Sequence, residues 1–429
     1  MKPCPITLAV LLPLLVSTIT SCLPDNLIGL GRPSFYSHPE RGSHEEESPA
    51  EETGPFHYAC AVSYPEGYDW RQDSSFIREG CRVLLYCNSR AILELRTGKT
   101  EQLSPDPDSH HIIDGQLYTE YSSAGRSCIK CNGETILDYP EREKLCGLLR
   151  YGKDWYSLGR NRDGGGFTFR KNGEILLKNA SGTPFGDFGH PLCGQGGALY
   201  QDTDGICFFH SCGTPVQGLF LCRNGTDELI FNTNGGTVLD AGFALGEIAA
   251  VYSRDGQCWL RRGGASDGME TEISFQKQLH WISPGIHLWN GRILVCGCTE
   301  VVKTGMLYTI GLLPDSMKLS VINGKNCMVY SAEELFVLEL SRDGPPLLFC
   351  YGTEGLYSGQ AGIPVKDSKD GIFIASPSCG KVVDGQFLLA VSPFPGAGPP
   401  YLLRNGSVLL EYGVNGYISG IEVSLKPPN

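Results

Sequence analysis

Three groups of side chains have the types and spacing to do chemistry. Tyr68-Asp69-Trp70-Arg71, with Asp73 close behind, sets two aromatic rings beside a carboxylate and a guanidinium. Such a set can stack on a sugar and hydrogen-bond its hydroxyls, or it can pack a loop onto a neighbouring sheet. His110-His111 with Asp114 offers two imidazoles for a metal or for acid–base work. Adjacent strand residues face opposite ways, so the pair is a poor chelate, and a solvated turn accounts for it more simply. His280-Trp281 with His287 and Trp289, around Ser283-Pro284-Gly285, can form an aromatic platform or cap a pair of strands. The ligand-binding candidates are therefore Tyr68, Asp69, Trp70, Arg71, His110, His111, Trp281, His287 and Trp289.

Cys128-x-x-Cys131 has the spacing of a zinc or redox site. It falls in a predicted strand, where positions three apart face opposite sides, and a zinc ribbon needs a second such pair. Cys296 and Cys298 are separated by one residue only and do not supply it. The chain has no Gly-x-Ser-x-Gly elbow, no His-Glu-x-x-His, no phosphate loop and no dinucleotide fingerprint. No catalytic residue, metal or cofactor is assigned on this reading. A glycosidase needs only two carboxylates from different elements, which a sequence does not exclude.

The N-terminus carries an address. Lys2 precedes an apolar run from Ile6 to Val16, too short to span a bilayer but the length of a signal core. Ile19-Thr20-Ser21-Cys22 follows and resembles the lipobox of bacterial lipoproteins. That resemblance implies cleavage between Ser21 and Cys22 and a diacylglycerol on the Cys22 thiol. Two or three acyl chains make a durable anchor where one does not. The implied location is the cell envelope, at the periplasmic or surface face of the outer membrane, with the lipid on Cys22 as the contact to the membrane. Residues 23–54 are polar, broken by Pro24, Pro33, Pro39 and Pro49, and acidic around Glu45, Glu46, Glu47, Glu51 and Glu52. Such a segment cannot bury a core and reads as an extended tether.

The elements that must position the candidates repeat. Ile112-Ile113-Asp114-Gly115-Gln116-Leu117-Tyr118 is echoed by Val382-Val383-Asp384-Gly385-Gln386-Phe387-Leu388. Looser echoes are Asp154-Trp155-Tyr156, Gly197-Ala198-Leu199-Tyr200, Ala250-Val251-Tyr252 and Gly305-Met306-Leu307-Tyr308, each read as the start of an inner strand. Downstream recurs a polar residue, then Asn-Gly, then an aliphatic run, as in Lys171-Asn172-Gly173-Glu174-Ile175-Leu176-Leu177 and Arg404-Asn405-Gly406-Ser407-Val408-Leu409-Leu410, with Cys131-Asn132-Gly133, Arg223-Asn224-Gly225 and Ile322-Asn323-Gly324 in the same set. Asn-Gly favours a type I′ turn, which needs positive φ at both central residues. Each unit thus reads as strand, loop, strand, Asn-Gly hairpin, strand, at a spacing of roughly 40–50 residues. The expected fold is all-β, a propeller-like array of about seven or eight blades of short antiparallel strands, over a pair of sandwiches. The domain reading is 1–21 leader, 22–54 lipidated cysteine and tether, and 55–429 propeller.

The repeats, with details such as Tyr64-Pro65-Glu66-Gly67-Tyr68-Asp69-Trp70 and Arg170-Lys171-Asn172-Gly173-Glu174, resemble bacterial β-propeller lipoproteins of Gram-negative cells. The Trp-Asp, kelch and Tyr-Trp-Thr-Asp motifs are missing. Ser253-Arg254-Asp255-Gly256-Gln257-Cys258-Trp259 looks like one Asp-box a residue short. Composition agrees with strands and turns: 55 glycines and 27 prolines in 429 residues, with no collagen period. A net charge of −12 and no basic stripe argue against nucleic acid as a partner. Of 18 cysteines, many sit in apolar runs such as Leu348-Phe349-Cys350, where a free thiol packs well. Two functions remain open. One is a non-catalytic binding or scaffolding module for a glycan, a peptide or an envelope protein. The other is a polysaccharide-active hydrolase or lyase. The lack of a catalytic signature favours the first.

Overall fold

The computed structural model describes residues 55–64, 81–96, 102–103, 109–123, 126–140, 143–161, 165–212, 217–273, 280–289, 291–302, 305–313, 318–322, 327–331, 335–339, 347–351, 363–364, 372–373, 377–393, 398–425 and 427; side chains are described for these except at 280–284, 292 and 296–377. The leader, Cys22, the tether and the Tyr68-Asp69-Trp70-Arg71 group lie outside the described residues.

Strands form eight separate antiparallel sheets of four or five strands each. This is the β-propeller expected from the repeat, and each sheet is a blade. Seven blades are consecutive stretches of chain: 102–139, 143–179, 183–232, 237–273, 280–322, 327–364 and 372–411. They are blades 2 to 8. Blade 1 takes three strands from the N-terminal part, Phe56–Ser63, Arg82–Cys87 and Arg90–Arg96, and its fourth from Gly416–Ser424. That last strand pairs with the first over eight positions, from Phe56↔Ser424 to Ser63↔Gly416. The pairing closes the ring and removes the two edges that an open array would expose.

Burial sets the direction of each blade. Second and third strands are apolar and covered on both faces, as in Gly205–Cys212 with Phe208 and Phe209 fully buried. Fourth strands are largely exposed, as in Arg90–Arg96 and Glu174–Asn179. First strands of neighbouring blades contact one another, which is the packing of strands around a common axis. The core is thus a set of face-to-face sheet contacts, one between each pair of blades. Phe167, Phe169 and Phe208 are such a contact between blades 3 and 4. Blade 3 also holds a buried ion pair, which meets blade 2 at the Tyr139 ring. Arg170 makes two bonds to Glu143, at 2.5 and 2.9 Å, and its guanidinium lies 4.3 Å from the centre of the Tyr139 ring. Gly159 leaves room for that carboxylate, because a Cβ there would strike Glu143 Oε2.

The turns explain the Asn-Gly repeat. Asn88, Asn132, Asn172, Asn224 and Asn405 each open the turn between the third and fourth strands of a blade, all with φ of +48° to +53°. Each backbone N–H donates to the carbonyl of a residue at the start of the second strand: His57, Leu117, Trp155, Ile206 and Phe387. Each side-chain Oδ1 accepts the N–H of that same residue at 2.8–3.1 Å. Asparagine is therefore selected twice, for its tolerance of a left-handed backbone and for a side chain that locks the turn to the blade. The Asp114-Gly115 and Asp384-Gly385 echoes are turns between first and second strands, with φ of +52°, +70°, +50° and +69°. The looser echoes at Asp154 and Ala250 fall on second strands and that at Gly305 on a third strand, rather than on inner strands. A turn followed by a buried run occurs at every hairpin of a blade, so that cue marks hairpins and not the strand's rank.

First strands alternate in form around the ring. In blades 1, 3 and 5 the strand is continuous with a one-residue bulge, at Ser419, Cys146 and Leu239. In blades 2, 4 and 8 it is split into two short pieces, and in blade 6 the register shifts between Trp281 and Ile286. The closest sequence echo lies between blades 2 and 8, both of the split kind.

Replacing Asn172 by alanine keeps the strained φ and loses two side-chain bonds, the one Oδ1 accepts from Trp155 N–H and the one Nδ2 donates to Asp154 Oδ1 at 2.7 Å. Urea titration of N172A is expected to show a loss of about 1–2 kcal/mol, with N172G closer to the parent because glycine accepts the φ.

Candidate functional site

The longest interruption of a first strand is in blade 4, between Thr183–Pro184 and Tyr200–Asp202. The intervening residues, 185–199, reach across the ring. Phe188 stacks on His111 of blade 2, with ring centroids 3.7 Å apart, and its carbonyl accepts from Ser378 Oγ beside blade 8. Gly196 O accepts from Leu148 N and Ala198 N donates to Cys146 O, both in blade 3. Gln195 Nε2 donates to Glu422 Oε1 of blade 1 at 2.8 Å. His190 Nε2 meets Asp240 of blade 5 at 3.0 Å, and Leu192 packs with Ile286 and Val295 of blade 6. A segment that touches first strands on both sides of the axis must cross it, so this plug fills the central channel where propellers commonly bind ligands. Its cues in the sequence are Gly186, Gly189, Pro191, Gly194, Gly196 and Gly197 within what would otherwise be one strand, and the Gly197-Ala198-Leu199-Tyr200 echo marks only its end.

The plug relocates the open site. Beside it, between blades 2 and 3, lies a cavity of about 670 Å³. Trp155, Tyr118, Arg150, Gln116, Asp114 and Glu134 line it, with Gln195 and Gly196 of the plug as one wall. Trp155 stands at the start of a second strand, where the Asn172 turn grips its backbone at both N–H and carbonyl. Tyr118 meets it edge to face at 5.8 Å, and the Arg150 guanidinium lies 5.8 Å from the indole centre. Gln116 Oε1 accepts from the Tyr118 hydroxyl at 3.1 Å and from Cys131 Sγ at 3.5 Å. Burial, aided by Cys131 and Asp114, pushes the Tyr118 phenol well up, so it stays a neutral donor. Glu422 forms the support behind this wall. It is buried and accepts from Asp114 N, Gly115 N and Gln195 Nε2 at 3.1, 2.8 and 2.8 Å. Gly115 allows the approach: besides its φ of +70°, a Cβ there would sit 2.9 Å from the Tyr58 ring.

Such a cavity offers one large ring for stacking, a guanidinium, an amide and two exposed carboxylates. Its chemistry is recognition of a polar ring-shaped group. Among the described residues no cluster of three or more His, Cys, Asp or Glu is arranged to hold a metal ion.

The sequence candidates fare differently. His110 and His111 lie in the first strand of blade 2, both buried, in place of the solvated turn expected. Phe188 of the plug stacks on His111 and covers that ring. His287 and Trp289 share one strand of blade 6 and are buried, 2% and 3% exposed. Trp281 lies in that strand, and its side chain is outside the described set. Asp114, chosen only as company for the histidines, does line the cavity. Cys128 and Cys131 lie on one strand, Arg126–Cys131. The cavity residues Trp155, Tyr118, Arg150 and Glu134 were missed as a group, because a site between two blades has no signature in one segment. Cys60, Cys131, Cys146, Cys193, Cys207, Cys222 and Cys258 are free thiols.

Comparison with solved structures supports the architecture. The dihydro-heme d1 dehydrogenase NirN, solved in complex with DHE, matches with a TM-score of 0.51 at 12% identity, over 90% of this chain and 77% of that one. A post-proline cleaving enzyme from Rickettsia typhi matches with a TM-score of 0.43 at 9% identity, over 73% of this chain and 54% of that one. An oligogalacturonate lyase in complex with manganese gives 0.34 at 11% identity, over 70% and 93%. At such identities the likeness is one of fold. No protein-family model and no curated protein matches the chain.

His111 generates a pH dependence. Burial pushes its imidazole down from 6.5 to about 3, with His110 and Lys144 adding repulsion. Between those values the unfolded chain binds a proton that the folded one refuses, so stability falls as pH drops through that window. The slope is up to about 1.4 kcal/mol per pH unit. Phenylalanine keeps the stack on Phe188 and removes the proton site. Denaturant titrations of H111F and the parent at pH 7 and 5 are expected to show the variant losing about 2 kcal/mol less.

Proposed function

We propose that the protein is a lipid-anchored propeller of the cell envelope that binds a saccharide in the cavity between blades 2 and 3. The observation that carries the reading is the cavity itself: Trp155 held rigidly by the Asn172 turn, with Arg150, Gln116, Asp114 and Glu134 around it. A fixed indole supplies the stacking face for a pyranose, and planar polar side chains at its edge suit neighbouring hydroxyls. The plug supports the same choice by filling the channel. The lipobox-like Ile19-Thr20-Ser21-Cys22 and the acidic tether supply the anchor and the standoff that such a receptor needs. Among the described residues no helix is long and apolar enough to cross a membrane.

Asp114 and Glu134 line the same cavity. Two carboxylates on one cleft keep a second reading, a polysaccharide hydrolase or lyase.

A thermal-shift screen of the protein against envelope and plant polysaccharides decides between them. A specific rise in midpoint with the sugar recovered intact is the expected result, because a ligand of the folded state stabilises by mass action. Depolymerisation lost in D114N or E134Q would establish the enzyme instead. W155A is expected to weaken binding by about tenfold while its unliganded midpoint stays near the parent. For the anchor, cells fed radiolabelled palmitate are expected to label the parent and not C22S, and label retained in C22S would remove the lipoprotein reading.

A further inference from the structure

The plug borders a second cavity, and its lining asks for a different chemistry from the first. This cavity, of about 540 Å³, opens where the end of the plug meets blades 3, 4 and 5. Leu149 comes from the first strand of blade 3, Leu199 from the plug, Tyr200 from blade 4 and Phe243 from the first strand of blade 5. Leu149, Tyr200 and Phe243 are each only half-buried, so apolar side chains of three blades converge on one opening. Contact fixes the rings: Phe243 meets Tyr200 edge to face at 5.1 Å and the fully buried Phe209 at 4.8 Å.

Of the four side chains with polar atoms that line this cavity, three are already engaged. The Tyr200 hydroxyl lies 3.4 Å from Cys193 Sγ. Asp202 accepts from Arg223 at 2.9 and 3.1 Å and from Asp204 N at 2.9 Å. The Gln195 amide donates to Glu422. The fourth, Gln201, is exposed. A sugar hydroxyl entering here finds few partners to replace the water it gives up, whereas a methylene chain is stabilised by leaving water. The two cavities adjoin, because Leu149, Gln195 and Gly196 line both. Gly196 adds no side chain to that shared wall, and a Cβ there would already sit 3.1 Å from Leu149 Cδ1. Each cavity is in the size range of a small-molecule site.

We propose that the second cavity is an apolar subsite for an alkyl or acyl chain attached to the sugar held at Trp155, so that the ligand is an amphiphilic glycoside. The sugar half rests on the saccharide reading, and the chain half rests on the second cavity alone.

The test measures calorimetric affinity of the full protein for methyl, hexyl, octyl and decyl β-maltoside, each below its micelle concentration. Affinity is expected to rise about threefold for each methylene that enters the cavity. Gly194 lines the second cavity and not the first. Its φ lies outside the left-handed region, and a Cβ there meets nothing within 4 Å. G194F thus fills space without backbone strain. It is expected to remove the rise with chain length while the thermal midpoint and the methyl maltoside affinity hold. A decyl maltoside with a diazirine at the chain end locates the chain in the parent, with adducts expected on the peptide holding Leu199 and Tyr200 or on that holding Phe243. Equal affinity for methyl and decyl maltoside, adducts confined to other peptides, or a rise left intact in folded G194F would overturn the subsite. The first and second of these need no variant. Failure of the saccharide reading looks different: W155A has no effect and 1-octanol binds as octyl maltoside does, with the same loss in G194F, which upholds the apolar subsite and removes the sugar.

Discussion

The pairing of Gly416–Ser424 with Phe56–Ser63 is the contact on which the rest of the structure depends. It joins segments more than 350 residues apart in the chain, and a loop of that length is entropically costly to close. What offsets the cost is the number of interactions closure completes at once. The closing strand finishes blade 1, covers the inner edge of Phe56–Ser63 and buries Tyr417 against Val62 and Tyr64. It also brings Glu422 to the axis, where one carboxylate holds the Asp114-Gly115 turn of blade 2 and Gln195 of the plug. Ring closure and the shaping of the cavity wall are therefore one event.

The plug is the second consequence of a closed ring. Eight blades leave a wide axis, and polar groups on first strands would line a wet channel. Residues 185–199 fill it and satisfy many of those groups, Asp240 and Glu422 among them. Because the plug touches six other blades, it couples them: the Asp240 carboxylate ties plug, blade 5 and blade 6 through His190, Gly285 and Ile286. The same crossing decides where ligands can go. The axis is occupied, and two openings lie beside residues 194–196.

Between blades 2 and 3 the packing is polar as well as apolar. The Arg170–Glu143 pair is nearly solvent-free and bidentate, with Tyr139 over the guanidinium. Such a pair contributes little net stability over an apolar substitute, but loss of one partner leaves an uncompensated buried charge. It braces two strands of blade 3, and the hydrogen bond that Leu145 N–H donates to Glu120 Oε1 ties that blade to blade 2. Trp155 gains its fixed position from the Asn172 turn on the same blade. The rigidity of the binding wall thus comes from interactions that also stabilise the blades.

Much of this was legible in the residues before folding was considered. Asn-Gly and Asp-Gly at regular spacing predicted hairpins, and the turns at Asn132, Asn172, Asn224, Asn405 and Asp114 have the positive φ that the dipeptides imply. Strand identity and blade repeat followed, because both are local properties of backbone sterics and of period-two burial. Free thiols in apolar runs were legible for the same reason. The binding surface was not. His110, His111, His287 and Trp289 have the residue types of a site, yet packing buries them. Trp155, Arg150 and Glu134 look unremarkable one at a time and become a cavity only when blade 2 is set against blade 3. Element type and the count of repeats, to within one, are local properties of the chain, since turn chemistry acts over four residues. Tertiary structure alone decided which side chains meet, since the plug, the closing strand and the cavity are contacts between distant segments, and no local pattern encodes the distance between them.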